Sequence, residues 1–347
     1  MKIDAIALAK KIQIKFKTYQ HQKQFSQIAK LITFAFQVLP SEYNQQIFGY
    51  IPHIFRQVIL EHSFQLQQQD LFIGEPVVYK IYYPDQKKLY GIPYFYIFCY
   101  LKENSSQLNV YFQSAHPKYK SLTQEEYHLS QKKIKFEGII SAFKTDNISV
   151  ISISDPGHFF PGLTSSYYAG SAELNFAKLI AKALGNICNL AKINLENTML
   201  LGSSAGTFGA LLSSTYLEQK TNVLAVNSQI TLQYRKPLLK SLFGIDQPQK
   251  IIEKYGNQIS CTYRFRQDIS SIPNIYLLAN INDHLHQRNF DFYKLYLSRF
   301  TKKGADNQSI FDSYYGVEGH GRPEPTSLKR KIEIAREVLT MKSTIDG

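Results

Sequence analysis

Two serines stand between two glycines in Gly202-Ser203-Ser204-Ala205-Gly206, where one apolar run (NTMLLG) gives way to another (AGTFGALLSSTYL). A hydroxyl at the centre of such a pentapeptide can be lifted clear of a strand-to-helix turn and presented to a carbonyl carbon. Side chains two residues to either side would collide with the turn, which accounts for glycine at 202 and 206. The helix start would offer the Ala205 backbone N–H to a developing oxyanion. A Gly/Ser-rich nucleotide-binding turn is the competing explanation, but the chain contains neither G-x-x-x-x-G-K-[ST] nor G-x-G-x-x-G.

A serine hydroxyl needs a base to become nucleophilic, usually a histidine oriented by a carboxylate. After a turn of this kind the chain order is Ser, then acid, then His. In NIYLLANINDHLHQ, Asp283 lies just past an apolar run; Asp268, Asp291 and Glu318 are alternatives. In YYGVEGHGRPEP, His320 sits between two glycines before the last helix, a position unsuited to core packing. His284 and His286 form D-H-x-H with Asp283, but no further Cys/His cluster completes a metal site, so His286 is assigned to substrate. The second oxyanion donor is expected at the end of NVYFQSAHP, from the Ala115 N–H, with His116 beside the substrate. The loop SDPGHFFPG is the rival for that role, or else shapes the acceptor pocket.

These residues need a scaffold. Apolar spacing predicts a helical N-terminal region over 1–70 and a pair of antiparallel strands over 71–106, joined at PDQKK. Strands and helices then alternate, so 71–347 reads as a catalytic domain of α/β class. The expected architecture is a mainly parallel sheet covered by helices on both faces, to which the resemblance given below adds the α/β-hydrolase-like fold. Cys99, Cys188 and Cys261 lack pairing spacing and read as core residues of a reducing compartment. With no secretory signal and no apolar window long enough to span a bilayer, the expectation is a cytoplasmic protein. The net charge of +13, with seven lysines in the first 30 residues, suits a polyanion or peripheral contact at the inner membrane face. Zinc-finger, RNP-like and glycine–basic signatures are missing, which argues against nucleic acid.

LLGSSAGTFGALL, NVLAVNSQITLQY, INDHLHQRNF and GHGRPEP, in this order, resemble the α/β-hydrolase-fold proteins of bacterial capsular polysaccharide biosynthesis, the group that includes the capsule O-acetyltransferases. The resemblance spans roughly 107–340. It implies Ser204 as nucleophile, Asp283 as acid and His320 as base, with Asn227, Gln229 and His286 at the substrate. Thr207 departs from a glycine of the family pattern, and Ser228 from the proline of N-P-Q. The implied activity is O-acetylation of a capsular polysaccharide through an acyl-Ser204 intermediate. No cofactor would be bound, and acetyl-CoA would be the candidate donor. The alternatives are a carbohydrate esterase or deacetylase with the same triad, and a non-catalytic glycan-binding or assembly factor working with capsule-synthesis proteins.

Overall fold

The computed structural model describes residues 5–39, 55–61, 66–89, 91–115, 135–145, 147–159, 163–245, 247–317 and 319–340. Its centre is a sheet of nine strands: β1 (Arg56–Leu60), β2 (Val77–Tyr82), β3 (Tyr94–Tyr100), β4 (Gln107–Phe112), β5 (Ile148–Ile153), β6 (Thr198–Ser203), β7 (Asn222–Val226), β8 (Asn274–Asn280) and β9 (Ser309–Tyr314). In space they run β1-β2-β3-β5-β4-β6-β7-β8-β9. Only β3 opposes its neighbours, pairing antiparallel with β2 and β5; all other pairs are parallel.

Period-two alternation sends successive side chains to opposite faces. On β6, Leu200 enters the large core under one face, while Met199 and Leu201 join a second cluster on the other. The large core is covered by α4 (Phe176–Ala191), α5 (Ala205–Ser214), α6 (Lys236–Phe243), α7 (Pro248–Ile259), α8 (Cys261–Gln267) and α9 (Phe292–Thr301). The opposite face carries α1 (Ala5–His21), α2 (Phe25–Val38) and α3 (Ile139–Lys144) over β2, β3 and β5, and α10 (Pro325–Thr340) over β6, β7 and β8. Every residue of β6 and β7 is buried, as parallel strands under two helical layers require.

Helices α1 and α2 fall within the predicted helical N-terminal region, but 56–60 corrects that reading. There the chain forms β1, an edge strand paired with β2. Its inward side chains are Val58 and Leu60, whereas Ile59 is about half exposed. The three cysteines are buried and unpaired. Burial pushes the Cys188 thiol up to about 12 and raises those of Cys99 and Cys261, so none is a thiolate at neutral pH. Among the described residues, no helix is long and apolar enough to cross a membrane.

Candidate active site

β6 ends at Ser203 and α5 begins at Ala205, so Ser204 alone makes the turn. Its backbone takes φ 52° and ψ −116°, a conformation that L-residues adopt only when surroundings over-determine it. The surroundings do so: the Ser204 N–H donates to Val226 O at 2.9 Å, and the Thr207 N–H and Oγ1 donate to Ser204 O at 3.2 and 2.6 Å. Thr207 Oγ1 also accepts the Gln229 N–H at 3.0 Å, so the hydroxyl where the family pattern has glycine ties α5 to the segment after β7. A Cβ on Gly202 would lie 2.4 Å from Gly206 C, and one on Gly206 would lie 2.4 Å from Phe112 O. Both glycines are therefore demanded by contact distance.

His320 Nε2 lies 2.7 Å from Ser204 Oγ, and its Nδ1 lies 2.7 Å from Asp283 Oδ2. Asp283 follows β8, and its Oδ1 accepts the Leu285 N–H at 2.9 Å. The carboxylate is 4% exposed and the imidazole 30%, so a buried acid supports a base that opens toward solvent. A Cβ on Gly319 would lie 2.7 Å from Asn282 O, so glycine lets the histidine loop press onto the acid loop. Of the alternative acids, Asp268 pairs with Arg264, and Asp291 stands 3.8 Å from His286. Glu318 lies outside the described residues.

The other predicted residues separate. Gln229 points its Nε2 at Ser204 Oγ, 3.5 Å away. Asn227 is committed to the groups around it. Buried, at φ 48°, it spends its amide N–H groups on Tyr314 Oη (2.8 Å) and Gly321 O (2.9 Å), while its Oδ1 accepts the Asn280 N–H (2.9 Å). It anchors the His320 loop to β7, β8 and β9. The His286 ring rests on Phe290 (centroids 4.8 Å apart), and its buried Nε2 has no partner among the described residues. His284 is exposed, with Nδ1 3.3 Å from Asp283 Oδ1, so the D-H-x-H histidines do not converge. The Ala205 N–H opens α5, where helical geometry leaves it without an intrahelical acceptor. Ala115 is half-buried just past β4, on the segment that presses against Gly206. His116 lies outside the described residues.

In the rival loop, the described residues are tied to the segment 165–167. Buried Asp155 accepts from Gly157 N (2.8 Å), Ser166 N (2.9 Å), Tyr167 N (3.2 Å) and the Ser165 and Ser166 hydroxyls. Burial raises its carboxyl above the ordinary value, and those hydrogen bonds, from Ser165 and Ser166 first, recover part of the cost.

A second ion pair, between a buried carboxylate and a partly exposed guanidinium, braces the site and is not revealed by motif reading. Arg322, two residues after His320, donates Nη2 to both oxygens of Glu137 at 2.7 Å and to Ser114 Oγ at 2.5 Å. Ser114 in turn donates its N–H and Oγ to Glu137 Oε1 at 2.9 and 2.6 Å. The histidine loop and the Ala115 loop are thereby tied to one carboxylate. Burial alone would raise the Glu137 carboxyl; the Arg322 guanidinium, the Lys135 ammonium and the hydrogen bonds outweigh it and hold it well below the usual carboxylate range. The sequence signal was Arg322 itself, within GHGRPEP; its partner is remote in the chain.

Sheet, turn and aligned Ser, His and Asp define an α/β-hydrolase-like protein. No protein-family profile matches the chain, and no curated protein sequence does either. Among solved structures it is similar to the capsule O-acetyltransferase of Neisseria meningitidis serogroup A (18% identity, TM-score 0.47, covering 73% of this chain and 92% of that one). It is also similar to the esterase Est2 of Thermogutta terrifontis (13%, 0.46, 74% and 94%). A third likeness is to the acylaminoacyl peptidase of Pyrococcus horikoshii (11%, 0.48, 78% and 41%).

Proposed function

We propose that the protein is a serine acyltransferase that moves an acyl group onto a hydroxyl of a cell-surface polysaccharide through an acyl-Ser204 intermediate. The observation that carries this reading is the unbroken Asp283–His320–Ser204 hydrogen-bond chain, with 2.7 Å at each link, ending on a strained serine. As Ser204 Oγ attacks the donor carbonyl, its proton passes to His320 Nε2. Asp283 keeps the other proton on Nδ1 and stabilises the imidazolium. Negative charge forming on the carbonyl oxygen meets the Ala205 N–H, with the Ala115 N–H as the second donor. The intermediate collapses, the bond to the leaving group breaks, and His320 returns the proton to that group. The acceptor hydroxyl then gives its proton to His320 and attacks the acyl-serine; the bond from the acyl carbon to Ser204 Oγ breaks, and His320 returns the proton to Oγ.

The resemblance of the sequence blocks to capsule biosynthesis proteins supports a polysaccharide acceptor, with acetyl-CoA as donor and the net charge of +13 favouring an anionic glycan. A second reading has water as the acceptor, making the protein an esterase or deacetylase; the 30% exposure of the His320 side chain favours it.

A fluorophosphonate probe tests the nucleophile. Labelling of folded protein that disappears in Ser204→Ala is the expected result, and failure of the wild type to label would instead favour a non-catalytic glycan-binding factor. Incubation with acetyl-CoA and candidate glycans separates the two enzymatic readings: acetylated polymer supports the transferase, whereas acetate released from acetylated polymer supports the esterase. Ser204→Ala should lower turnover by about 10⁵–10⁶, and Asp283→Asn by about 10⁴.

A further inference from the structure

One cation beside Ser204 has no counter-charge among the described residues. Arg235, at the start of α6, donates Nε and Nη2 to Gln229 Oε1 at 3.2 and 2.7 Å. Its guanidinium lies over the buried Tyr167 ring, 4.6 Å from the centroid. Gln229 is itself buried and presents its Nε2 to Ser204 Oγ at 3.5 Å, so a single carboxamide separates the charge from the hydroxyl. Three arginines of the fold have carboxylates, Arg322 with Glu137, Arg264 with Asp268 and Arg56 with Glu75, while Arg336, remote in the chain, donates to Asn109 Oδ1 and Asn197 O. Arg235 is clamped by an amide and a ring instead. That arrangement removes the rotamer freedom that an arginine usually loses on binding. It also leaves N–H donors on a half-buried, fixed fork, the geometry that matches a carboxylate or phosphate.

We propose that Arg235, held by Gln229 and Tyr167, is the recognition site for a negatively charged group, carboxylate or phosphate, on the sugar whose hydroxyl reacts at Ser204. This rests on the serine acyl-transfer reading and adds to it the charge of the acceptor unit. Distance decides which substrate bears the charge. The carboxamide with a hydrogen bond at each end spans about what one sugar ring and its substituents span, so an anionic substituent on the reacting sugar can meet Arg235 while its hydroxyl meets the acyl-serine. The phosphates of an acyl-CoA are separated from the thioester by the whole pantetheine arm. They cannot occupy Arg235 while the thioester is at Ser204.

The test is calorimetric titration of wild type, Arg235→Met and Arg235→Lys with four probes: a short uronate oligosaccharide, a sugar phosphate, a carboxyl-reduced neutral oligosaccharide and coenzyme A. Fluorophosphonate labelling of the same preparations reports separately on the acyl-transfer reading. Wild type is expected to bind at least one anionic sugar tenfold or more tighter than the neutral one, and Arg235→Met should lose that preference. The uronate and phosphate arms identify the anion. Arg235→Lys keeps the charge without the fork and should retain a reduced preference; it carries the test if the methionine variant fails to fold. Equal binding of charged and neutral sugars by wild type overturns the proposal, as does a preference that survives in Arg235→Met, or a response to coenzyme A alone.

Discussion

Ser204 pays for its exposure in backbone strain. At φ 52° and ψ −116° it occupies a region suited to glycine, and alanine there would be strained as serine is. Ser204→Gly relieves the strain but gains freedom in the unfolded chain, so it should be more stable than Ser204→Ala by a net of about 1 kcal/mol. Urea midpoints of the two inactive variants measure this directly; equal midpoints would remove strain from the account. The residues of this turn were legible beforehand because their chemistry is local: two glycines, a serine and a change of period within one short stretch. Gln229 was legible as a site residue only through resemblance, and the same route gave no sign that the Asn227 amide is spent on Tyr314, Gly321 and Asn280. An amide looks alike in sequence whether it faces a ligand or three strand ends.

Glu137 also acts at the residue scale, through pH. Its folded-state pKa lies below its unfolded one because Arg322, Lys135 and Ser114 outweigh burial. A depressed carboxyl contributes stability that is complete above the unfolded value, about 4.3, and is lost as pH falls toward the folded value. Glu137→Gln should therefore cost about 2 kcal/mol at pH 7, leaving Arg322 without its counter-charge, and the deficit should shrink below about pH 4. Denaturant melts of both proteins across pH 3–7 check the sign; a deficit that grows on acidification contradicts the assignment.

At the scale of elements, the contact between β4 and α5 sets the geometry of the oxyanion side. Gly206 faces Phe112 O so closely that an added Cβ, 2.4 Å away, must push the β4 end and Ala115 outward. Gly206→Ala is expected to cost about 1–3 kcal/mol by overpacking. It should also slow fluorophosphonate labelling more than Gly185→Ala, whose Cβ would meet nothing within 4 Å. Similar labelling rates in the two variants would detach the oxyanion loop from this contact. Elements from β2 onward were readable because buried parallel strands and amphipathic helices carry strong periodicities. β1 was not: five residues with only two facing inward, beside apolar residues at helical intervals, do not separate the two periods. The pairing of β1 with β2 is a non-local fact.

Across the whole molecule, α1 and α2 are part of the packing that holds the sheet. Phe16, Ile28 and Ile32 share a cluster with Val78, Phe98 and Val150, residues of β2, β3 and β5, while the exposed lysines 10, 11, 15 and 17 face outward. β5 runs beside β4, whose end leads to the Ser114–Glu137–Arg322 link and so to the His320 loop. Loss of the N-terminal helices should therefore uncover an apolar face of the strands that brace the site. Phe16→Ala, emptying a position 1% exposed, is expected to cost about 3–5 kcal/mol. If the two layers form one cooperative unit, far-ultraviolet circular dichroism and Ser204 labelling should fall together in a single thermal step, at a lower temperature than in wild type. A first step that removes helical signal while labelling persists would mean that the N-terminal helices melt independently, and that the serine, histidine and aspartate are held by the sheet and the remaining helices alone.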